Sequence, residues 1–283
     1  MPISPSSSAQ AAREAVAQRL KELRADTGLT GPELAAHCGW SHPKTYRIEG
    51  ARTPPSADDI RRWCQACGVP GQADDIIAQS RTAESMYVDW RRKVRTGLKQ
   101  LQNSYVPLFK ATELFRVYSP TMVPGLIQTE GYARGLMTSI TRFRDIPNDV
   151  ADAVTARLER SRIIHQPGHR FTMVIEEAVL HYQLGDSDAM AAQLGYLLTV
   201  GALPQVSLGI IPSATAERPM WPQELFHVYD DTLVSVELLA ARVQVTQPSE
   251  IATYVKAFEE LRSMAVYGAD ARILITKAID ALH

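Results

Sequence analysis

The first eighty residues carry apolar positions at helical spacing, separated by short polar stretches. Val16, Leu20 and Leu23 recur at intervals of four and three, which places them on one face of a helix. Comparable patterns return several times, and together they predict about five helices in residues 10–80. That size is typical of a small domain. The polar stretch before it predicts a disordered tail over residues 1–9.

The pattern changes from residue 117 onward, where short β-rich segments alternate with helical ones. Segments rich in β-branched and aromatic residues predict strands, and they lie at 171–177, 206–212, 224–230 and 233–239. We therefore predict a mainly α N-terminal domain followed by an α+β C-terminal domain over residues 117–283, with about four strands.

Residues 81–116 connect these two parts. Met86, Trp90, Val94 and Leu98 recur every four residues, which predicts one long connector helix with a continuous apolar stripe.

A basic run within the connector has two interpretations; it consists of Arg91, Arg92, Lys93, Arg95 and Lys99. The favoured interpretation is the solvated face of an amphipathic helix, because that case is commoner. The alternative is a contact with DNA phosphates or with an acidic partner.

The most informative stretch is Leu29–Gly50, LTGPELAAHCGWSHPKTYRIEG, which predicts two short helices joined by a glycine turn. Thr30 and Glu33 have the spacing of a capping box at the start of the first helix. Gly39 allows the left-handed backbone of a tight turn, and Ser41 caps the second helix. This is the pattern of a helix-turn-helix, whose second helix enters the DNA major groove.

Together with the following RTPP and IRRWCQACGV, this stretch resembles the XRE (phage-repressor-like) helix-turn-helix regulators, especially their actinobacterial branch. The resemblance implies binding to double-stranded DNA. Two positions depart from the family pattern. Thr45 stands where an aliphatic core residue is usual and is expected to loosen the packing of the recognition helix. Tyr46 stands where a small polar residue is common and is expected to alter which bases are read.

The C-terminal half resembles the domain found behind such motifs in actinobacterial WhiJ-like regulators. The resemblance is carried by YSPTMVPGLIQTEGYARGL, RLERSRII and FTMVIEEAVLHYQLG. It implies an antitoxin-like member of a pair, with a small partner protein often encoded nearby. The two resemblances together cover essentially residues 10–283.

DNA recognition is predicted to rest on the second helix of the motif. Arg47 can bind guanine through O6 and N7, which is worth about 1–3 kcal/mol of discrimination, and His42 lies on the same side. Thr45 and Ile48 are expected to point inward. The predicted DNA-binding residues are Thr30, Ser41, His42, Lys44, Tyr46, Arg47 and Arg52. The less favoured alternative is a helix-turn-helix reused for protein–protein contact.

The net charge of the chain does not support the hypothesis of DNA binding. The chain holds 30 Lys and Arg against 31 Asp and Glu, a net charge of −1, and residues 1–80 hold nine of each sign. Because DNA-binding domains are often basic, recognition is expected to depend on a few well-placed side chains.

The three cysteines suggest metal or redox chemistry only at first glance. Cys64 and Cys67 have the C-x-x-C spacing, but Cys38 and His37 are the only further ligands nearby. A structural zinc normally takes four ligands, and Cys64 and Cys67 fall on the apolar side of a helix. We interpret them as core thiols and predict no metal.

The C-terminal domain is predicted to receive a signal. Adjacent Glu176 and Glu177 point to opposite faces of a strand, so one is expected to pair with Arg157 or Arg160. Trp221 fits equally a recognition loop or a lid over the core. The residues predicted to bind a partner or effector are Gln128, Tyr132, Arg160, Glu177, Arg218 and Trp221. A deep pocket lined by Glu177, Arg160 and Tyr132 would favour a third hypothesis, an enzyme or ligand sensor.

The main hypothesis is therefore a sequence-specific transcription regulator that is not an enzyme and has no cofactor. The absence of GxSxG, GxGxxG and P-loop motifs weakens the enzyme hypothesis without excluding it. It is expected to bind a pseudo-palindromic operator as a homodimer, under control of a small partner protein or ligand. The alternative is an antitoxin-like protein whose main role is to sequester a small partner. No apolar run of membrane-spanning length occurs, and three cysteines fit a reducing compartment, so we expect a cytoplasmic protein.

Overall fold

The computed structural model describes residues 5–89, 94–239 and 241–282, with side chains described over 12–80, 94–239 and 241–282. The chain divides into two compact units, Met1–Val88 and Asp89–His283. The second unit therefore begins well before the predicted boundary at residue 117.

The first unit is built from helices, as predicted. They are α1 (Pro5–Asp26), α2 (Gly31–Cys38), α3 (His42–Glu49), α4 (Ala57–Ala66) and α5 (Ala73–Met86), with a 3-10 turn at Pro70–Gln72. The predicted disordered tail over 1–9 is corrected, because α1 already begins at Pro5. Pro5 is the first residue of α1, where a proline costs no helical hydrogen bond, so the helix can begin there. Residues 1–4 lie outside the described residues.

The core of the first unit gathers one apolar face from each helix. Leu20, Leu34, Ile48, Ile60 and Trp63 are all almost completely buried. The indole N–H of Trp63 donates to the Leu20 carbonyl oxygen at 3.0 Å, which satisfies its polar atom inside the core. The short helix α3 is therefore held mainly by tertiary packing.

The three cysteines belong to this core, as interpreted from the sequence. Cys38, Cys64 and Cys67 are free thiols and all are buried. Burial raises the pKa of Cys38 and of Cys67 to about 11, and it also raises the pKa of Cys64. Among the described residues, no group of three or more His, Cys, Asp or Glu has a metal-binding arrangement.

The single connector helix predicted over 81–116 is wrong. Helix α5 ends at Met86, a short strand β1 covers Tyr87–Asp89, and two separate helices follow, α6 (Lys99–Ser104) and α7 (Val106–Ala111). Trp90 of the predicted stripe, and Arg91, Arg92 and Lys93 of the basic run, lie outside the described residues.

The break before α6 has a specific cause. Gly97 has φ of +100°, a conformation that side chains strongly disfavour. A Cβ there would also lie closer than 3.0 Å to the Asp149 carboxylate. That carboxylate accepts hydrogen bonds from the Leu98 and Lys99 N–H groups at 2.7 and 2.8 Å, so α6 begins on a cap supplied from a distant segment.

The second unit alternates helices and strands. Its further elements are β2 (Leu114–Ser119), α8 (Glu130–Arg144), α9 (Val150–Ser161), β3 (Arg170–Glu176), α10 (Ser187–Val200), β4 (Val206–Ile211), β5 (Phe226–Tyr229), β6 (Leu233–Glu237), β7 (Ala241–Val245), α11 (Pro248–Ser263) and α12 (Gly268–Asp280). Three 3-10 segments, Gly125–Ile127, Arg162–His165 and Glu177–Leu180, lie in the connections.

Six strands of this unit form a mixed sheet in the order β7-β6-β5-β2-β3-β4. Strands β2, β3 and β4 are parallel, and β5, β6 and β7 continue from β2 in antiparallel pairs. The α+β fold class is confirmed. The four predicted strands are β3, β4, β5 and β6, while β2 and β7 were missed. Strand β2 was missed because it lies across the predicted domain boundary at residue 117. Strand β7 contains a buried arginine, Arg242, which hides its strand pattern.

The centre of the sheet is aromatic and fully buried. Phe115 of β2 stacks on Phe171 of β3 with ring centroids 4.8 Å apart, and Tyr229 of β5 meets Phe115 edge-on at 5.8 Å. Strand β2 is mostly buried and pairs in parallel with β3 and in antiparallel fashion with β5. No described helix is long and apolar enough to cross a bilayer.

Candidate functional site

The helix-turn-helix geometry follows directly from the local sequence. Thr30 caps α2 through a capping box with Glu33, as predicted. Gly39 ends α2 at φ of +72°, the left-handed conformation that glycine adopts easily. Ser41 occupies the N-cap position of α3, but its side chain makes no capping hydrogen bond. Pro43 occupies the first turn of α3 without losing a bond.

Helix α3 has one buried and one exposed face, as the recognition hypothesis requires. Thr45 and Ile48 point into the core. His42, Tyr46 and Arg47 are exposed, with 61% of Tyr46 accessible. Tyrosine and arginine side chains both contact phosphates and sugars in protein–DNA complexes, so this exposed face is suited to DNA.

The buried hydroxyl of Thr45 is accommodated rather than disruptive. Thr45 is 1% exposed, and its Oγ1 accepts a hydrogen bond from the Trp40 indole at 2.9 Å. The expectation that Thr45 loosens the packing is therefore wrong, because its polar atom has a partner.

Two ion pairs fix α3 against its neighbours. Arg24 of α1 pairs with Glu49 at 2.5 Å, and Lys44 pairs with Asp59 of α4 at 2.6 Å. The ammonium of Lys44 also lies 4.6 Å from the centre of a Trp40 ring. Lys44, predicted to bind DNA, thus has a structural task that the sequence did not reveal.

The remaining predicted DNA-binding residues lie at the ends of the motif. Arg52 is exposed beyond α3, with its guanidinium 5.7 Å from the centre of the Tyr46 ring. Thr30 is exposed at the start of α2, where its hydroxyl bonds to Glu33 at 2.7 Å. Tyr46 and Arg52 are consequently brought together, and Arg47 is exposed on the same helix as Tyr46.

The second unit contains a cavity of about 540 Å³, a volume typical of small-molecule sites. Of the six residues predicted to bind a partner or effector, only Gln128 and Arg160 line it. Tyr132 is completely buried, and its hydroxyl accepts a hydrogen bond from the Val123 N–H at 3.1 Å. The expected pocket lined by Glu177, Arg160 and Tyr132 is therefore wrong, because of these three residues the observed cavity is lined by Arg160 alone.

Glu177 and Arg218 lie elsewhere, near the end of β3. Arg218 makes two hydrogen bonds to Glu176, at 3.1 and 2.5 Å, and Tyr118 donates to the same carboxylate at 2.8 Å. The expectation that one of Glu176 and Glu177 pairs with Arg157 or Arg160 is thus wrong, because the loop after β4 brings Arg218 to Glu176. Glu177 accepts a bond from the Ser213 N–H at 2.6 Å.

Trp221 lies on the surface rather than over the core. Its side chain is 53% exposed, which settles the two equal interpretations in favour of an accessible loop residue.

Two arginines from α9 dominate the cavity. Arg157 donates through Nε to the Gln102 side chain at 3.1 Å and through Nη1 to Gln128. Arg160 lies 4.8 Å from the ring centres of both Tyr105 and Phe109. Burial lowers the pKa of Arg157 to about 10 and also lowers that of Arg160. Because guanidinium groups keep their proton in proteins, both side chains are cations.

His227 faces the same cavity as a neutral ring. Burial, then the nearby Arg160 and Arg242, lower the pKa of His227 to about 3. Sequence reasoning missed Arg157 and His227 as site residues. The spacing of Arg157 and Arg160, three apart in RLERSRII, was the available signal, since such residues share a helix face.

Sequence comparison with protein families gives two matches. Residues 15–75 match a family described as "Helix-turn-helix domain", and residues 109–277 match "Domain of unknown function (DUF5753)". The first match, with the exposed face of α3, supports a DNA-binding regulator of XRE-like type. The WhiJ-like assignment of the second unit stays a prediction. No curated protein matches the chain significantly.

Comparison with solved structures gives distant likenesses. Nuc, a phospholipase D family member from Salmonella typhimurium, has 12% identity over 60% of this chain and 90% of its own. NucT from Helicobacter pylori has 11% identity over 60% of this chain and 92% of its own. TrmBL2, an archaeal chromatin protein, has 11% sequence identity over 85% of this chain and 88% of its own. All three TM-scores are 0.33, too low to assign a shared fold. The sequence of this chain, by contrast, shows its family. The chain belongs to the family of the domain of unknown function DUF5753, and here that domain follows a helix-turn-helix domain.

Proposed function

We propose that this protein is a sequence-specific transcription regulator, without enzymatic activity, that binds double-stranded DNA through α3. One observation carries the proposal: α3 is held rigidly on its buried side and exposes His42, Tyr46 and Arg47 on the other. Side chains held on a rigid helix can meet base edges in a fixed register.

The neutral charge of the first unit makes these few residues decisive. With equal numbers of acids and bases in residues 1–80, nonspecific attraction to phosphates is weak. Lys44 is already paired with Asp59, which leaves Arg47 and Arg52 as the arginines nearest the exposed face of the motif.

We further propose that the protein acts as a homodimer on a pseudo-palindromic operator. Helix-turn-helix proteins commonly bind two half-sites about one helical turn apart, and two copies related by a two-fold axis match that symmetry. The second unit would set the population or spacing of such dimers in response to a small partner protein or a ligand.

The test is a footprint of the full chain on the DNA upstream of its own gene. Arg47→Ala is expected to lose protection while its circular dichroism spectrum stays unchanged. Arg272→Ala is the matched control, because Arg272 is exposed on α12 in the second unit and its loss changes the net charge equally. Absence of protection by folded wild-type protein at any salt concentration would refute the proposal.

A second candidate function is supported by Trp221. We propose as the alternative an antitoxin-like protein that sequesters a small partner through the loop containing this exposed side chain. The full chain should then co-purify with the product of the neighbouring gene, and Trp221→Ala should release it. Phe143→Ala, at another exposed aromatic residue, should not. A partner that stays bound to the Trp221 variant counts against this docking site.

A further inference from the structure

We propose that the cavity of the second unit binds a small amphipathic molecule with one acidic group, such as a carboxylate, and an apolar body. Binding itself is independent of DNA recognition. Its role as the regulatory signal rests on the function proposed above.

The size and walls of the cavity fit such a molecule. Its volume is about 540 Å³, within the range of sites that enclose small ligands. Most of its wall is apolar and includes Leu98, Leu101, Phe109, Leu126, Leu136 and Met137. An apolar body entering it is expected to bind by removing this surface from water.

The polar end of the cavity holds two cations that lack a carboxylate. Neither Arg157 nor Arg160 forms an ion pair within the described part of the chain. The hydrogen bonds of Arg157 within the described residues go to the neutral side chains of Gln102 and Gln128. The Nε of Arg160 is buried and has no hydrogen-bond partner among the described residues. Half-buried guanidinium groups without an anion are costly, and a ligand carboxylate would reduce that cost.

The two guanidinium groups converge on one point. A Cβ built on Gly125 would lie 3.7 Å from Cζ of Arg157 and 3.8 Å from Nη2 of Arg160. Gly125 itself lines the cavity, and its lack of a side chain leaves that point unfilled by protein. An acidic group placed there would reach both arginines at once.

Among the described residues, neither acid of the cavity forms an ion pair with these arginines. Burial lowers the pKa of both arginines, and it outweighs the more distant charge of Glu237, which raises the pKa. Glu237 has the Tyr105 hydroxyl as its hydrogen-bond partner at 3.5 Å, and Glu224 has the Tyr254 hydroxyl at 3.4 Å. Arg144 also lines the cavity, and the buried Arg242 lies over the Tyr105 ring at 4.8 Å. The bases around the cavity therefore outnumber the acids, which favours an anion over a cation.

The occupant is expected to carry one acidic group rather than several. The convergent cations are only two, and most of the remaining wall is apolar, so a polyphosphate would bury charge without partners. A monocarboxylate with an aliphatic or aromatic body satisfies both ends of the cavity.

Isothermal titration of the full chain without DNA tests the proposal. The acidic probes are decanoate and 1-naphthoate, and their neutral counterparts are decan-1-ol and 1-naphthalenemethanol. One acidic probe should bind in a ratio of one per chain and about tenfold more tightly than its alcohol. Arg160→Gln should remove this preference. Arg162→Gln, an exposed arginine two residues away, should leave it unchanged.

A second variant separates binding from folding defects. Gly125→Asp places a carboxylate beside both guanidinium groups and is expected to raise the melting temperature while abolishing binding of the acidic probe. Gly125→Ala fills the same point with an uncharged methyl group that makes only ordinary contacts, so it should weaken binding of the acidic probe without raising the melting temperature. Failure of both acids to bind, equal affinity for acid and alcohol, or undiminished binding by Gly125→Asp would each overturn the proposal.

The same preparation distinguishes this proposal from the function above. If the acidic probe binds as expected but no DNA is protected with or without it, the cavity proposal is supported and the transcription proposal fails. If the probe does not bind while the operator is protected, the cavity proposal alone is overturned.

Discussion

Arg24 of α1 and Glu49 of α3 are joined by two hydrogen bonds, from Nε to Oε1 at 2.5 Å and from Nη2 to Oε2 at 3.2 Å. Arg24 also donates to the Leu29 carbonyl oxygen at 2.7 Å. One guanidinium thus connects the first helix, the loop before α2 and the end of the recognition helix. Hydrogen bonding by Glu49 raises the pKa of Arg24. Both side chains are mostly buried, so this pair is screened less than a surface pair.

Arg24→Ala should lower the free energy of unfolding of the first unit by about 2 kcal/mol, because it leaves Glu49 and a backbone carbonyl without their partner. Denaturant unfolding followed by circular dichroism measures the change. Arg19→Ala is the control: its pair with Glu22 is about half exposed, and its loss should cost under about 0.5 kcal/mol. Equal effects of the two variants would contradict this role of Arg24.

The pair of Lys44 and Asp59 should make the first unit sensitive to acid. Burial opposes ionisation of Asp59, but hydrogen bonds from Lys44 and Ser56 outweigh it and hold the pKa of Asp59 below its usual value. A carboxyl whose pKa is lowered by folding stabilises the fold above its unfolded pKa of about 4. That stabilisation is lost as pH falls through the folded pKa.

Asp59→Asn should therefore be less stable than wild type at pH 7 by about 1 kcal/mol, with a smaller difference at pH 3. Urea unfolding at the two pH values measures both quantities. A difference that is constant with pH would show that Asp59 acts through packing or capping rather than through its charge.

Gly97→Ala should destabilise the second unit by about 2 kcal/mol or more, because φ of +100° is strained for alanine and the new methyl group meets the Asp149 carboxylate. Gly195→Ala is a matched control within α10, where a Cβ meets nothing within 4 Å. That variant should gain up to about 1 kcal/mol. Thermal unfolding of both variants gives the comparison, and a stable Gly97 variant would refute the proposed cause of the break before α6.

The three thiols should be unreactive in the native protein. They are buried, and the pKa of Cys38 and of Cys67 is raised to about 11 by burial, so little thiolate is present near pH 7.5. Ellman's reagent should react with none of them until guanidinium is added and then with all three. Rapid reaction of any thiol in folded protein would contradict the assignment to the core.

Local signals in the sequence predicted the recognition motif well. Thr30, Glu33 and Gly39 act within a few residues of one another, and the inward positions of Thr45 and Ile48 follow from helical spacing. The five helices of the first unit and four strands of the second rest on the same short-range patterns.

Features that depend on distant partners were not predictable. The break before α6 needs Asp149, about fifty residues away. Lys44 donates a hydrogen bond to Asp59 on another helix and is therefore less available to DNA than its neighbours. Arg218 pairs with Glu176, 42 residues earlier in the chain. The arginine pair of the cavity showed in the sequence only as a spacing on one helix, because its surroundings come from the whole second unit.

The pairing of β2 also has a consequence for the order in which the chain acquires its structure. Arg116 of this central strand donates to the Asp230 carbonyl oxygen, 114 residues later, whereas the first unit is made of helices with near neighbours. Long-range strand pairing is slow, and local helical contacts form quickly. During synthesis the first unit can therefore fold before β5 has emerged to pair with the central strand. Truncated chains would then present a formed helix-turn-helix before the cavity of the second unit exists.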